Sequence, residues 1–183
     1  LCPIVGQVIA VDGPRSDVTD VTRFSYYQAD AAGCTATPAN CGYRKGDLWK
    51  ITDALGRSTE MLRYDSAGRL LSSKDINGVV SDNEFSTRGW LLATKVRGAD
   101  NNSETDDRIS RFDYWPTGQL KKSTLPDGAS LTFTYDAAQR LTDVTDNDGN
   151  TIHYTLDNEG NRTKEDTKTS TGTLKRTLSR VYN

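Results

Sequence analysis

A chain of 183 residues with a net charge of −2 has no general electrostatic pull toward nucleic acid or an anionic membrane surface. Only 34% of it is hydrophobic and 26% is charged, which is polar for a globular core and fits a sheet solvated on at least one face. No apolar run approaches the ~20 residues of a membrane helix, and no basic segment followed by an apolar run marks a secretion signal.

In chain order, the first predicted strand is 7–11, which is apolar, uncharged and free of proline. Gly13-Pro14 predicts a turn, and the weak alternation of 18–27 predicts a second strand. Residues 29–45 carry Gly33, Pro38, Gly42 and two cysteines and read as an excursion loop. Cys34 and Cys41 lie seven positions apart, which is not the CxxC spacing of a zinc knuckle or redox motif. They either staple the loop as a disulfide in an oxidising compartment or stay as two free thiols. Cys2 is left over near the start.

From residue 46 onward one pattern recurs. YDSAGRL runs from Tyr64 to Leu70, FSTRGWL from Phe85 to Leu91, YWPTGQL from Tyr114 to Leu120, and YDAAQRL from Tyr135 to Leu141. LDNEGNR follows at 156–162, with Asp157 and Gly160 in the corresponding places. Anchored on Gly46, Gly68, Gly89, Gly118, Gln139 and Gly160, the steps are 22, 21, 29, 21 and 21 residues. A fixed period this short means a repeat architecture. About ten residues after each anchor stands an inner glycine: Gly56, Gly78, Gly98, Gly128, Gly149 and, after a longer gap, Gly172. Asn77-Gly78, Asp127-Gly128 and Asp148-Gly149 tolerate the positive φ of tight hairpin turns. Each unit is therefore strand, turn, strand, turn, with units near 6–45, 46–67, 68–88, 89–117, 118–138, 139–159 and 160–183. The 23 threonines, 20 aspartates and only 5 glutamates suit strands and turns better than helices.

The fold class follows as all-β, a repetitive antiparallel β-hairpin array in one domain over 1–183. In such a meander the motif aromatics are two strands apart. Tyr64, Phe85, Tyr114 and Tyr135 should therefore neighbour Leu70, Leu91, Leu120 and Leu141 rather than one another. Acidic residues Asp100, Glu104, Asp106 and Asp107 fill an insertion at 98–107 and read as a solvated loop. The final unit, with Arg162 in place of leucine, is expected to fray for want of a further neighbour. The apolar first strand and the last, near 178–182, predict self-association through exposed sheet edges.

These motifs resemble the YD repeat of the Rhs family of bacterial proteins, a repeat shared with the teneurins. YDSAGRLLSSKDINGVV and YDAAQRLTDVTDNDGNTIHYTLDNEGNR are its most specific parts, and the opening GQVIAVDGPRSDVTDVTRFSYY is similar to an Rhs segment. The resemblance implies a β-sheet strip that spirals into a hollow shell, enclosing a toxic C-terminal domain outside this fragment. Flanking repeats and that toxin domain are the implied partners, and a secreted or cell-surface bacterial location is implied with them. The alternative is an extracellular carbohydrate- or protein-binding repeat module acting in adhesion.

Nothing in the sequence points to catalysis, a metal or a cofactor. His153 is the one histidine, so a multi-histidine metal site is excluded, and no nucleophile stands in a recognisable elbow. The run Asp146-Asn147-Asp148-Gly149-Asn150 fails as an EF-hand, because Val144 and Thr155 occupy ligand positions. Trp49, Trp90 and Trp115 stand at different offsets from their anchors and form no repeated ladder.

Overall fold

The computed structural model describes residues 4–99 and 103–182; Cys2, Asp100 and Asn183 lie outside them. Among the described residues there are fourteen strands and one short 3-10 turn, Pro38–Asn40. The chain divides into two compact units, Leu1–Glu84 with Thr94–Arg108, and Phe85–Ala93 with Ile109–Asn183.

In the first unit β1 (Ala10–Val11), β2 (Thr22–Tyr26), β3 (Leu48–Thr52), β4 (Ser58–Tyr64), β5 (Leu70–Lys74) and β6 (Val80–Phe85) pair in sequence, all antiparallel. β7 (Leu91–Val96) follows. In the second unit β8 (Arg108–Tyr114), β9 (Leu120–Thr124), β10 (Ser130–Tyr135), β11 (Leu141–Asp146), β12 (Thr151–Leu156), β13 (Arg162–Lys168) and β14 (Leu174–Ser179) form a second such meander.

The period-2 alternation of the strands sets two unlike faces. Across β10 to β13 the register aligns Phe133, Val144, Ile152 and Thr167 in one row. The adjoining row aligns Thr134, Asp143, His153 and Asp166 and continues to Thr177 on β14. Burial is shallow: among the described residues only Cys41, Met61, Ala93 and Ser72 are buried, and no large side chain is fully enclosed. Ladder hydrogen bonds and contacts between neighbouring strands hold such a sheet, not a central core.

Four expectations need correction. The first strand shrinks from 7–11 to Ala10–Val11, and the second from 18–27 to Thr22–Tyr26, because β1 and β2 align for only two residue pairs. The final unit does not fray. β13 and β14 pair from Lys164–Ser179 to Lys168–Leu174 with a register shift at Thr167/Lys168, and Arg162, opposite Leu156, lays its guanidinium 4.1 Å from the Tyr154 ring centre. Gly98 does not take the positive φ of the other inner glycines. Gly98 instead donates its amide to Asp107, and a side chain there would collide with Asp106.

Candidate functional site: the repeated turn and what braces it

The anchor and inner glycines turn out to serve one turn, not two kinds. Ten five-residue turns among the described residues share the same two bonds. The first residue's amide donates to the carbonyl of the fifth, and the fourth residue's amide donates to the carbonyl of the first. They open at Asp53, Asp65, Asp75, Ser86, Trp115, Leu125, Asp136, Asp146, Asp157 and Thr169. This is the three-residue hairpin loop, a type I turn closed by a left-handed residue. Only that fourth residue has positive φ; Asn77, Asp127 and Asp148, one place earlier, do not. Glycine is there in nine of the ten turns because it alone enters the left-handed region without a Cβ clash. Gln139 is the exception, at φ 64°, where an L-residue costs ~1–2 kcal/mol.

Six turns open with Asp, and in each the same carboxylate oxygen accepts two backbone amides. Asp65 Oδ1 takes Ala67 N at 2.8 Å and Arg69 N at 2.9 Å, while its Oδ2 takes Arg69 Nε at 2.6 Å. Asp53 with Arg57 and Asp136 with Arg140 repeat the whole arrangement. At Asp146 and Asp157 the Asn150 and Asn161 amides replace the guanidinium. The Arg57 side-chain bond leads in holding Asp53 below the usual carboxylate range, and the Arg140 amide leads for Asp136. The Asn150 and Asn161 side chains lead for Asp146 and Asp157. Partial burial pushes Asp65 up, but its bonds from Arg69 and Ala67 outweigh this and leave it lowered.

The motif tyrosines end their strands just before these turns. Tyr64 pairs with Leu70, Tyr114 with Leu120 and Tyr135 with Leu141, the neighbours anticipated from the period. Phe85 ends β6 and Leu91 starts β7. The hydroxyls reach the other way. Tyr64 donates to the Leu48 carbonyl at 2.7 Å and Tyr135 to the Leu120 carbonyl at 3.0 Å, bracing each turn against the preceding strand. On the same margin, side chains at the fifth turn position lie over the next glycine. Arg140 packs at Gly160 and donates to the Asp157 carbonyl at 2.9 Å. Trp90 packs at Gly118, its ring centre 5.3 Å from Tyr114.

Burial, with the Asp47 carboxylate next, pushes the Tyr64 phenol up to about 12. A raised folded value keeps the neutral form, so its stabilisation is full below the unfolded value near 10 and is lost between pH 10 and 12. Alkaline unfolding is expected to steepen across that window. Tyr64→Phe should remove that component, and an unchanged pH profile in the variant would rule this out.

The excursion loop is built into the same turn. Tyr27 N donates to Asp47 O and Gly46 N to Tyr27 O, both 2.9 Å, so 28–45 replaces its second and third residues. Cys34 and Cys41 form a disulfide with Cα atoms 4.4 Å apart. The loop is folded down: Tyr43 stacks on Tyr27 at 3.6 Å, and the Tyr64 amide donates to the Gly42 carbonyl at 2.6 Å. Replacing both cysteines by serine is expected to cost about 2 kcal/mol, from the freedom a short closed loop regains when unfolded. Thermal melts with and without reductant measure it. Non-reducing peptide mapping that pairs Cys34 with Cys2 would overturn the assignment.

The acidic insertion is less solvated than its composition suggests. The Asp107 side chain is 4% exposed and accepts the Gly98 amide, Asp106 accepts the Ala99 amide, and Lys95 bonds Glu104 at 3.1 Å. Beside it Arg97 grips Asp82 at 2.5 and 2.9 Å. His153 is a half-exposed strand residue whose Nδ1 lies 2.7 Å from Asp143. Among the described residues no group of three His, Cys, Asp or Glu side chains is placed to hold a metal, and no helix is long and apolar enough to cross a membrane.

The RHS repeat family matches residues 44–80, 114–151 and 135–173, together more than half of the chain. Double-stranded DNA deaminase toxin A of Burkholderia cenocepacia (strain H111) is 35% identical over 89 residues, 49% of this chain but 6% of the toxin. A TcdB2-TccC3 crystal structure covers 87% of this chain with 11% of its own, at TM-score 0.56 and 16% identity. A Photorhabdus luminescens Tc holotoxin pore carrying a TccC3 variant matches with the same coverage, TM-score and identity. This chain thus spans about a tenth or less of each relative's length, and the structural likeness is one of fold. A turn repeated at half the sequence period, braced by Tyr and Asp, is what the matched segments share among themselves, and the chain belongs to the RHS repeat family.

Proposed function

We propose that this chain is a length of wall in an Rhs-type shell whose continuing polypeptide encloses a C-terminal toxin domain. The observation that carries the reading is the self-similar turn. Each hairpin reproduces the geometry that starts the next, so the meander extends by adding units, and the side chains it invests in Asp, Arg and Tyr brace neighbours rather than face a substrate. The toxin relative supports the setting, and a secreted bacterial location goes with it. The role is structural, and the flanking repeats are the partners in sheet pairing. When the chain is isolated, β1 and the apolar segment before it, with Val8, Ile9 and Val11 exposed, are an open edge for another strand.

The test is limited proteolysis of the full-length polypeptide that carries these residues. Deleting 46–108 is expected to make the domain downstream of the repeats protease-sensitive. A downstream domain equally resistant with and without the segment would remove the enclosure role and leave only a repeat scaffold.

A further inference from the structure

The β3–β4 hairpin pairs only from Thr52–Ser58 to Lys50–Glu60. The far end of β4, residues 61–64, has no paired strand on that side, so its outward backbone groups need other partners. The 28–45 loop and its rim supply them. The Tyr64 amide donates to the Gly42 carbonyl at 2.6 Å, and the Met61 carbonyl accepts the Tyr27 hydroxyl at 2.8 Å, with the Tyr43 ring laid on Tyr27. On β10 the carbonyl at the same step, Phe133 opposite Val144, is taken by the Trp115 indole N–H instead. Burial, with Tyr43 next, pushes the Tyr27 phenol up. Cys41, 6% exposed, and Met61, 9%, are two of the four buried residues among those described, so much of the first unit's enclosure lies at this loop.

One hydrogen bond and one ring stack hold the loop down, and the loop gives up conformational freedom to make them. The Cys34–Cys41 bond lowers that loss by constraining the loop before it docks. Its two sulfurs are unlike. Cys34 is partly exposed, whereas Cys41 is buried with its Sγ 3.2 Å from the Tyr43 carbonyl oxygen. An incoming thiolate reaches Cys34 and must expel Cys41 as a thiolate toward that carbonyl dipole, which disfavours an anion. Exchange is therefore slow while the loop is down.

We propose that the 28–45 loop is a redox-set strap on the far end of β4: closed by the disulfide it holds Met61 and Tyr64, and on reduction it lifts and leaves them unpartnered. Two molecules of a small thiol supply the two electrons. The first forms a mixed disulfide with Cys34 and releases the Cys41 thiolate. The second displaces the Cys34 thiolate and leaves the small thiol as its own disulfide, and the protons the two small thiols gave up go to the cysteines. A reducing cytosol leaves the strap free, and an oxidising exterior sets it. Docking and the disulfide favour each other by the same factor. The strap requires no enclosed cargo, so it stands or falls apart from the shell reading.

The experiment follows amide hydrogen exchange by NMR in the 183-residue chain, oxidised and after reduction with dithiothreitol. Reduction is expected to speed exchange at Tyr64 about thirtyfold and to leave Ala138 and Arg140 in the second unit unchanged. Cys34→Ser combined with Cys41→Ser should behave as the reduced chain. Tyr43→Ala keeps both cysteines and should shift the disulfide's equilibrium with glutathione about tenfold toward the thiols, while Tyr43→Phe, which keeps the ring, should not. The proposal falls if Tyr64 exchanges alike in the two states, or if Ala138 and Arg140 accelerate as much as Tyr64. It also falls if Tyr43→Ala leaves the glutathione equilibrium unmoved, or if Cys34 and Cys41 stay free thiols in air.

Discussion

Replacing Asp65 by alanine should cost about 2–3 kcal/mol, because one carboxylate organises a whole turn. Three donors converge on it: the Ala67 and Arg69 amides and the Arg69 guanidinium. A typical hydrogen bond contributes about 1 kcal/mol net, and bonds to a charged group rather more. Asp65→Asn keeps an oxygen that accepts the two amides but sets an NH2 donor against the Arg69 Nε–H, so the bond to Arg69 is lost and the cost should be about 1 kcal/mol. In a repeat array the damage stays local. Hydrogen exchange at Ala67 and Arg69 should accelerate while amides around Asp157 hold. Uniform acceleration across both units would contradict the local role.

The five lowered turn carboxylates make the same point with acid. Their folded values lie below the unfolded value near 3.9, so their stabilisation is complete above it and drains away as pH falls through the lower folded values. Stability should stay level from neutrality to about pH 4 and decline below.

Arg97→Ala should cost about 2–4 kcal/mol. Asp82 is only 14% exposed, and both its oxygens are bound to the Arg97 guanidinium. Removing Arg97 leaves a largely desolvated carboxylate with Ser72, itself buried, as its remaining side-chain donor. Burial alone pushes Asp82 up, and Arg97 with Ser72 reverses that to leave it lowered. The variant should therefore invert the pH response of this group, losing less stability than the parent as pH falls because a protonated Asp82 no longer needs a cation. Asp82→Asn combined with Arg97→Met should recover part of the loss. A double variant no better than Arg97→Ala would mean that Arg97 acts through packing instead.

The strands and turns were legible because both signals are local. Glycine at a fixed interval marks the left-handed position, and alternation as in Leu131, Phe133 and Tyr135 marks a pleated face. The tyrosine–leucine pairs follow from the spacing alone. The identity of the two turn classes was hidden because their sequences differ: Asp65-Ser66-Ala67-Gly68-Arg69 and Leu125-Pro126-Asp127-Gly128-Ala129 share only the glycine, yet close the same two bonds. A signal was present in the Arg or Asn that follows Gly56, Gly68, Gly149 and Gly160. The grip of Arg97 on Asp82, fifteen residues apart, is a cross-strand contact just past β7, where the Arg97 amide bonds the Val80 carbonyl, and no repeated motif marks it. The early strands came out too long because apolar content at 7–11 speaks for pairing capacity, whereas the partner strand sets the pairing itself.

The excursion at 28–45 is an arm attached inside a closed socket, with Tyr27, Gly46 and Asp47 as its rim. The rim bonds are those of an ordinary hairpin, so the register of β2 against β3 is indifferent to the length of what is threaded through it. Margins made of such sockets let a lineage lengthen, decorate or staple individual loops without renegotiating the sheet. Diversity can then gather at the turns while the strands between them stay interchangeable.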